Sequence, residues 1–324
     1  MTEKKIIAVV GATGAQGGGL VRAILADPAG SFTARALTRT ADSARARELA
    51  AQGVEVIEAD LDDEASLRKA FDGAHGAFVV TNFWAQRTPE EEKARTRAEM
   101  ELAQAAAAAR AAKETGLRHV VWSTLEDTRP HFARLGIDVP TVFDDYKVPH
   151  FDAKGEANAF FTDLGVPTTF LQTTFYYEAF LIGQGPHRDE NGELVLTNPM
   201  AGNKMALVAG DDIGRTALGI FRRGGELIGQ TVSIAGTIAT GEELAEKFTV
   251  ALGEKVVYRP LSHDEIRASG QPGALEVANM YQFYSDASDY FTGVRNPDLV
   301  RELNPALQSL DDWLNEHKSE IPLD

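Results

Sequence analysis

The stretch VVGATGAQGGGL, residues 9–20, constrains this chain more than any other. A short apolar run ends in Gly11, Gly14 and Gly17 and then opens into a helical pattern. In a strand–turn–helix context the first glycine permits a tight turn, the second lets backbone approach a pyrophosphate, and the third lets helix and strand pack closely. The helix N-terminus adds N–H donors and the positive end of its dipole. Taken alone, such glycines specify no more than a turn. In this context they predict a dinucleotide site on a parallel sheet.

The rest of the first half agrees. Apolar, β-branched runs at 6–12, 34–39, 54–60, 76–82, 119–124 and 167–172 alternate with helical patterns near 16–26, 43–52, 64–72, 89–115 and 149–164. That alternation predicts parallel strands joined by right-handed helical crossovers. The long helix contains AQAAAAARAAK (103–113), whose small side chains suit close packing on a sheet. After about residue 175 the alternation fades. A hairpin or edge strand at 191–199, a strand at 231–236, and helices at 241–252 and 273–285 are expected there. A last helix over 304–318 is expected to take Asn304 as N-cap and Pro305 as its first residue. The fold expected is therefore α/β: a doubly wound parallel sheet over 1–175, to which the strand near 231–236 returns, and a smaller C-terminal α+β domain over 176–324. The cleft between them is the expected ligand site.

Composition narrows the function. With no cysteine, disulfides, thiolate metal sites and cysteine nucleophiles are excluded. The seven histidines show no metal-ligand spacing, so no metal is expected. A formal net charge of −16 repels phosphate backbones and anionic membranes, so neither nucleic acid nor membrane is an expected partner. The opening MTEKKIIAVV has too short an apolar run for a signal core or a membrane span, and a cytoplasmic protein is expected.

The second strand ends ALTRT, with Thr38 and Arg39 where an NAD-preferring protein would place a carboxylate for the ribose 2′-hydroxyl. A guanidinium pairs with a 2′-phosphate, so NADP(H) is favoured over NAD(H). Asp60 and Leu61, closing the third strand, are placed to meet adenine. Thr81 and Asn82 at the end of the fourth can reach phosphate or ribose, with Phe83 and Trp84 as a nicotinamide wall or as core. Tyr176 and Tyr177, after the sixth strand, fall near the nicotinamide end.

Taken together, GATGAQGG, LTR, VTNFW, HFDAKGE and LDDWLNEHK resemble the NmrA-like family of atypical short-chain dehydrogenase/reductases, nearest to its HSCARG-type NADPH sensors. The resemblance runs through nearly the whole chain. It implies an N-terminal Rossmann domain, a smaller C-terminal domain and NADP(H) binding, with Gly11, Thr13, Gly14, Gln16, Gly17 and Arg39 as cofactor contacts. It also implies, for several members, regulation through partner proteins. The segment TADSA (40–44) departs from that pattern in having no basic residue.

Working reductases of the superfamily use a serine to orient the carbonyl, a tyrosine to donate the proton and a lysine to hold the nicotinamide ribose. Ser123 and Lys154 match two of these, but the tyrosine position, four before the lysine, is His150. Imidazole can be a general acid; the alternative is a helix-start residue bonded to backbone or water. Tyr146, one turn earlier, is a further candidate acid. The resulting expectation is an NADP(H)-binding redox sensor or regulator with an incomplete active site. The alternative is an NADPH-dependent reductase of a small carbonyl, imine or quinone with an apolar or aromatic substrate. A third reading is a partner-binding module that the nucleotide stabilises. The segment 126–147, long and aperiodic, is expected to act as a lid.

Overall fold

In the computed structural model, which describes residues 3–27 and 29–324, the apolar runs of the first half become strands and the periodic segments helices. In chain order these are β1 (Lys5–Val9), α1 (Ala15–Leu25), β2 (Phe32–Thr38), α2 (Ala44–Ala51), β3 (Glu55–Glu58), α3 (Glu64–Phe71) and β4 (Gly76–Val79). There follow α4 (Pro89–Ala94), α5 (Arg97–Glu114), β5 (His119–Thr124), α6 (Arg129–Leu135), α7 (Pro149–Asp163) and β6 (Thr168–Gln172). The later chain supplies β7 (Phe175–Tyr176), β8 (His187–Arg188), β9 (Leu194–Leu196), β10 (Met205–Val208), α8 (Gly210–Arg223), β11 (Thr231–Ser233) and β12 (Thr237–Ala239). It ends with α9 (Gly241–Leu252), β13 (Val256–Tyr258), α10 (His263–Ala268), α11 (Ala274–Asp286), α12 (Ser288–Gly293), α13 (Pro297–Leu303) and α14 (Leu310–His317).

Seven strands form one sheet in the order β11-β6-β5-β4-β1-β2-β3, every pair parallel. It is a Rossmann-type doubly wound sheet, and the order reverses between β1 and β4, where ligands of such sheets sit. Both faces are covered, which is why the strands read as continuous apolar runs. Ile7 and Val9 pack with Leu20, Ile213, Ala217 and Val300 on one face. Ala8 and Val10 pack with Leu67, Ala108 and Phe161 on the other, where the alanine run of α5 lies. Two three-stranded sheets, β12-β10-β7 and β13-β9-β8, share a third core with Phe180, Phe248, Phe283, Tyr284 and Trp313. Helices α1 and α8 meet backbone to backbone: a Cβ built at Gly214 would lie 2.1 Å from Leu20 N and 2.5 Å from Gln16 O.

Two local expectations are corrected. The helix expected over 89–115 is two helices, because Thr88 and Thr96 each begin a capping box with Glu91 and Glu99 and so start a helix of their own. The last helix starts at Leu310 with Ser309 as its cap, not at Pro305. Asn304 instead ends α13 and donates to the buried Asp212 at 2.8 Å. The segment 126–147, aperiodic in sequence, contains α6 and is tied to α7. The enclosed Asp152 carboxylate accepts from the Thr128, Lys147 and Val148 N–H groups, each at 2.8 Å, and Arg129 pairs with Asp127, Asp145 and Glu156.

Strand β5 opens on His119, whose Nε2 donates to Thr169 Oγ1 at 2.8 Å, that hydroxyl in turn donating to Leu227 O. Burial, with His75 nearby, lowers its pKa to about 4. The unfolded chain takes up this proton near ~6.5, so between there and pH 4 it binds more protons than the folded chain. Stability is thus expected to fall as pH drops from 6.5 towards 4. In His119→Gln, which keeps a donor for Thr169, this contribution disappears, so the stability gap between the two proteins should shrink over that window. Urea unfolding at a series of pH values measures it; a constant gap would rule it out.

Candidate functional site

At the carboxyl ends of β1 to β4 the glycine turn opens into a cavity of about 710 Å³, within the ~300–1,000 Å³ typical of small-molecule sites. Gly11 sits at φ +66°, a left-handed conformation other residues adopt at a cost. A Cβ at Gly17 would lie 2.5 Å from Gly11 O and 2.6 Å from Val10 O, so only glycine lets α1 start this close to β1. Of the expected contacts, Gly11, Thr13, Gly14, Thr38, Arg39, Asp60, Leu61 and Asn82 line the cavity. Gln16, Gly17, Thr81, Phe83, Lys154 and Tyr176 lie outside its lining.

Four arginines line the cavity, and they differ in commitment. Arg95 pairs with Asp62 at 2.8 Å and Arg87 with Glu92 at 3.0 Å. Arg39, exposed at the end of β2, has no hydrogen bond or ion pair among the described residues. Arg45, in the first turn of α2, makes one hydrogen bond, to Thr13 O at 3.1 Å. Arg45 follows directly on the segment 40–44, which has no basic residue of its own.

The expected catalytic residues are brought to the same sheet end but not into one constellation. Ser123 Oγ donates to Gln16 Oε1 at 2.7 Å, and Gln16 Nε2 donates to the Tyr176 hydroxyl at 2.6 Å. The side chain from the first turn of α1 therefore bridges β5 to β7. Lys154 is buried, and its three N–H groups meet Thr81 O, Thr81 Oγ1 and Glu101 Oε2, the last at 2.8 Å. Glu101 also accepts from the Thr81 hydroxyl at 2.8 Å, and its other oxygen is enclosed with no partner. A buried carboxylate thus holds the lysine, and its trace in the sequence is a glutamate at helical spacing with Ala105, Ala108 and Ala112 on the buried face of α5.

His150, in the first turn of α7, is 8 % exposed, and its bonds run to a carboxylate of a distant helix. Its backbone N–H donates to Glu276 Oε1 at 2.9 Å and its Nδ1 meets the same oxygen at 2.6 Å. Glu276, on α11, left no signal, since its partner stands 126 residues away. Phe83, Trp84 and Phe151 surround the imidazole with ring centroids 4.9–5.9 Å away. Phe83 is enclosed, while Trp84 is 54 % exposed.

Neither tyrosine gains the acidity of a superfamily proton donor. Burial and the Glu156 charge push Tyr146 up to about 12; its hydroxyl donates to Glu156 at 3.2 Å and Arg129 lies over its ring. Burial likewise pushes Tyr176 up to about 12. Among the described residues no three His, Asp or Glu side chains gather as a metal would require, and no helix is long and apolar enough to cross a membrane.

Residues 3–314 match the model of the NmrA-like family. The NmrA-like family domain-containing oxidoreductase FrzB of a Cladobotryum species is 30% identical over 296 residues, 86% of this chain and 83% of that protein. Among solved structures, NmrA, a negative transcriptional regulator, superposes with a TM-score of 0.76 at 23% identity, covering 97% of this chain and 95% of its own. The triphenylmethane reductase of a Citrobacter species, complexed with NADP(H), superposes with a TM-score of 0.69 at 22% identity, covering 96% of this chain and 99% of its own.

Proposed function

The chain belongs to the NmrA-like family, and we propose that it is an NADP(H)-dependent reductase of a small apolar or aromatic carbonyl, imine or quinone. The observation that carries this reading is the pair of weakly committed guanidiniums, Arg39 and Arg45, at the end of β2 in a cavity floored by the glycine turn. A 2′-phosphate matches them, and a pyrophosphate matches the α1 N-terminus at Gly14, which lines the cavity. Asp60 and Leu61 would meet adenine. Thr81, Phe83, Lys154 and Tyr176 would stand at the nicotinamide end, where the cofactor supplies hydride. Residues 1–175 with β11 would form the nucleotide unit and the remaining chain the substrate side. Turnover is supported by FrzB, which is named an oxidoreductase.

NADPH oxidation, followed optically across quinones, aldehydes, ketones and imines, tests the reading; no turnover with any of them would leave the second one. That reading is a redox sensor acting through a partner protein, and the engagement of Lys154 by Glu101 and of Ser123 by Gln16 favours it.

Cofactor choice gives a separate expectation. Arg39→Asp replaces attraction by repulsion at the 2′-phosphate and should weaken NADPH binding by about 2–4 kcal/mol while sparing NADH. Calorimetric titration of both nucleotides decides it, and equal losses would remove Arg39 as the selector.

A further inference from the structure

We propose that Glu276 and His150 form a proton-transfer pair, the carboxylate fixing the imidazole so that Nε2 gives a proton to the substrate. The inference rests on the reductase reading above.

Glu276 is a carboxylate only 7 % exposed on α11, and His150 supplies both of its hydrogen bonds. With Oε1 accepting from the backbone N–H, the short contact to Nδ1 is a second N–H donated to the same carboxylate oxygen. That fixes which ring nitrogen carries the proton, as a carboxylate does for any histidine whose other nitrogen works. Nε2 is the nitrogen left over. It has no hydrogen-bond partner among the described residues, and it is not one of the fully enclosed polar atoms. Glu276 is the charged side chain in contact with the ring. Lys154, one turn along α7, is neutralised by Glu101. Asp152, also on α7, turns to Thr128 and Val148.

The surroundings indicate the kind of substrate. Phe83 and Trp84 lie beside the imidazole with Trp84 largely open to solvent, an aromatic shelf suited to a flat conjugated carbonyl or quinone. As hydride reaches the substrate carbon, or a quinone oxygen, from the reduced nicotinamide, the Nε2–H bond of the imidazolium breaks and an O–H bond forms on the substrate. The ring is left neutral and water reprotonates it. Glu276 is a positioning residue, and His150 is the catalytic one.

Glu276→Gln keeps an oxygen for the His150 N–H and removes the charge, so fold and proton transfer separate. Two measurements are made on the full chain with NADPH or NADP⁺ bound. Long-range proton–nitrogen NMR should show the Nδ1–H tautomer in the wild type, and an imidazole titration midpoint at least about one pH unit lower in the variant. With a quinone or conjugated carbonyl, the variant should lose at least about tenfold in kcat at neutral pH with KM for NADPH unchanged, and the alkaline limb of its pH–rate profile should move by the NMR shift. An unchanged midpoint, or a pH–rate profile that does not follow it, overturns the pair while turnover leaves the reductase reading standing. If the NMR shift appears but the wild type reduces nothing, the reductase reading fails and the catalytic role fails with it.

Discussion

Glu101→Ala is expected to destabilise the folded chain by about 3–5 kcal/mol, among the largest losses from a single side chain here, because it leaves the Lys154 ammonium buried without its counter-charge. Glu101 is 1 % exposed, and Lys154 keeps only Thr81 and the face of Trp122, 5.4 Å from its nitrogen. Replacing both partners by apolar residues, Glu101→Leu with Lys154→Met, should recover most of the loss, since neither charge then has to be desolvated. Denaturant unfolding of the two single variants and the double variant measures this. Equal losses in the single and the double variant would mean that the carboxylate acts through packing and not through the lysine.

Gly214→Ala is expected to cost more than about 4 kcal/mol or to give no folded protein, although it adds a single methyl group. The new carbon would fall well inside the van der Waals contact distance to the Leu20 nitrogen, and neither backbone can rotate aside as a side chain could. Helix α1 would have to leave α8, taking the glycine turn at Gly11 and Gly14 with it. Gly225→Ala is the control, since a Cβ there meets nothing within 4 Å and should shift the unfolding midpoint little. If both variants unfold alike, the close crossing of α1 and α8 is not what holds this face.

Much of the nucleotide half was legible because its signals are local. The turn at Gly11, the run of strands and the cation at Arg39 each lie within a few residues of the chemistry they imply. The same holds for what was misread but present: two capping boxes interrupt 89–115, and the alanine run masked the second by its strong helical tendency. Arg45 lies one residue beyond 40–44, and its reach to Thr13 is a contact that only the fold makes. Glu101 and Glu276 belong to another class. A carboxylate in a helix reads as a solvated side chain, and what makes each of these buried is a partner that only the folded topology brings near. For that reason the charge environment of Lys154 and His150 could not be inferred from spacing.

The place of β11 has a consequence for how this chain is made. Strand β6 borders the sheet from the moment residues 168–172 emerge, but its neighbour lies beyond β10 and α8, so its outer backbone groups stay unpaired while that intervening chain is still being synthesised. An apolar strand with an open edge is a template for any other strand, and closing it needs a contact distant in sequence, which is slow to form. The nascent protein is therefore exposed to mispairing along β6 after its first six sheet strands are complete, until Thr231–Ser233 docks on Phe170–Gln172 and the three-residue β11 takes over that edge.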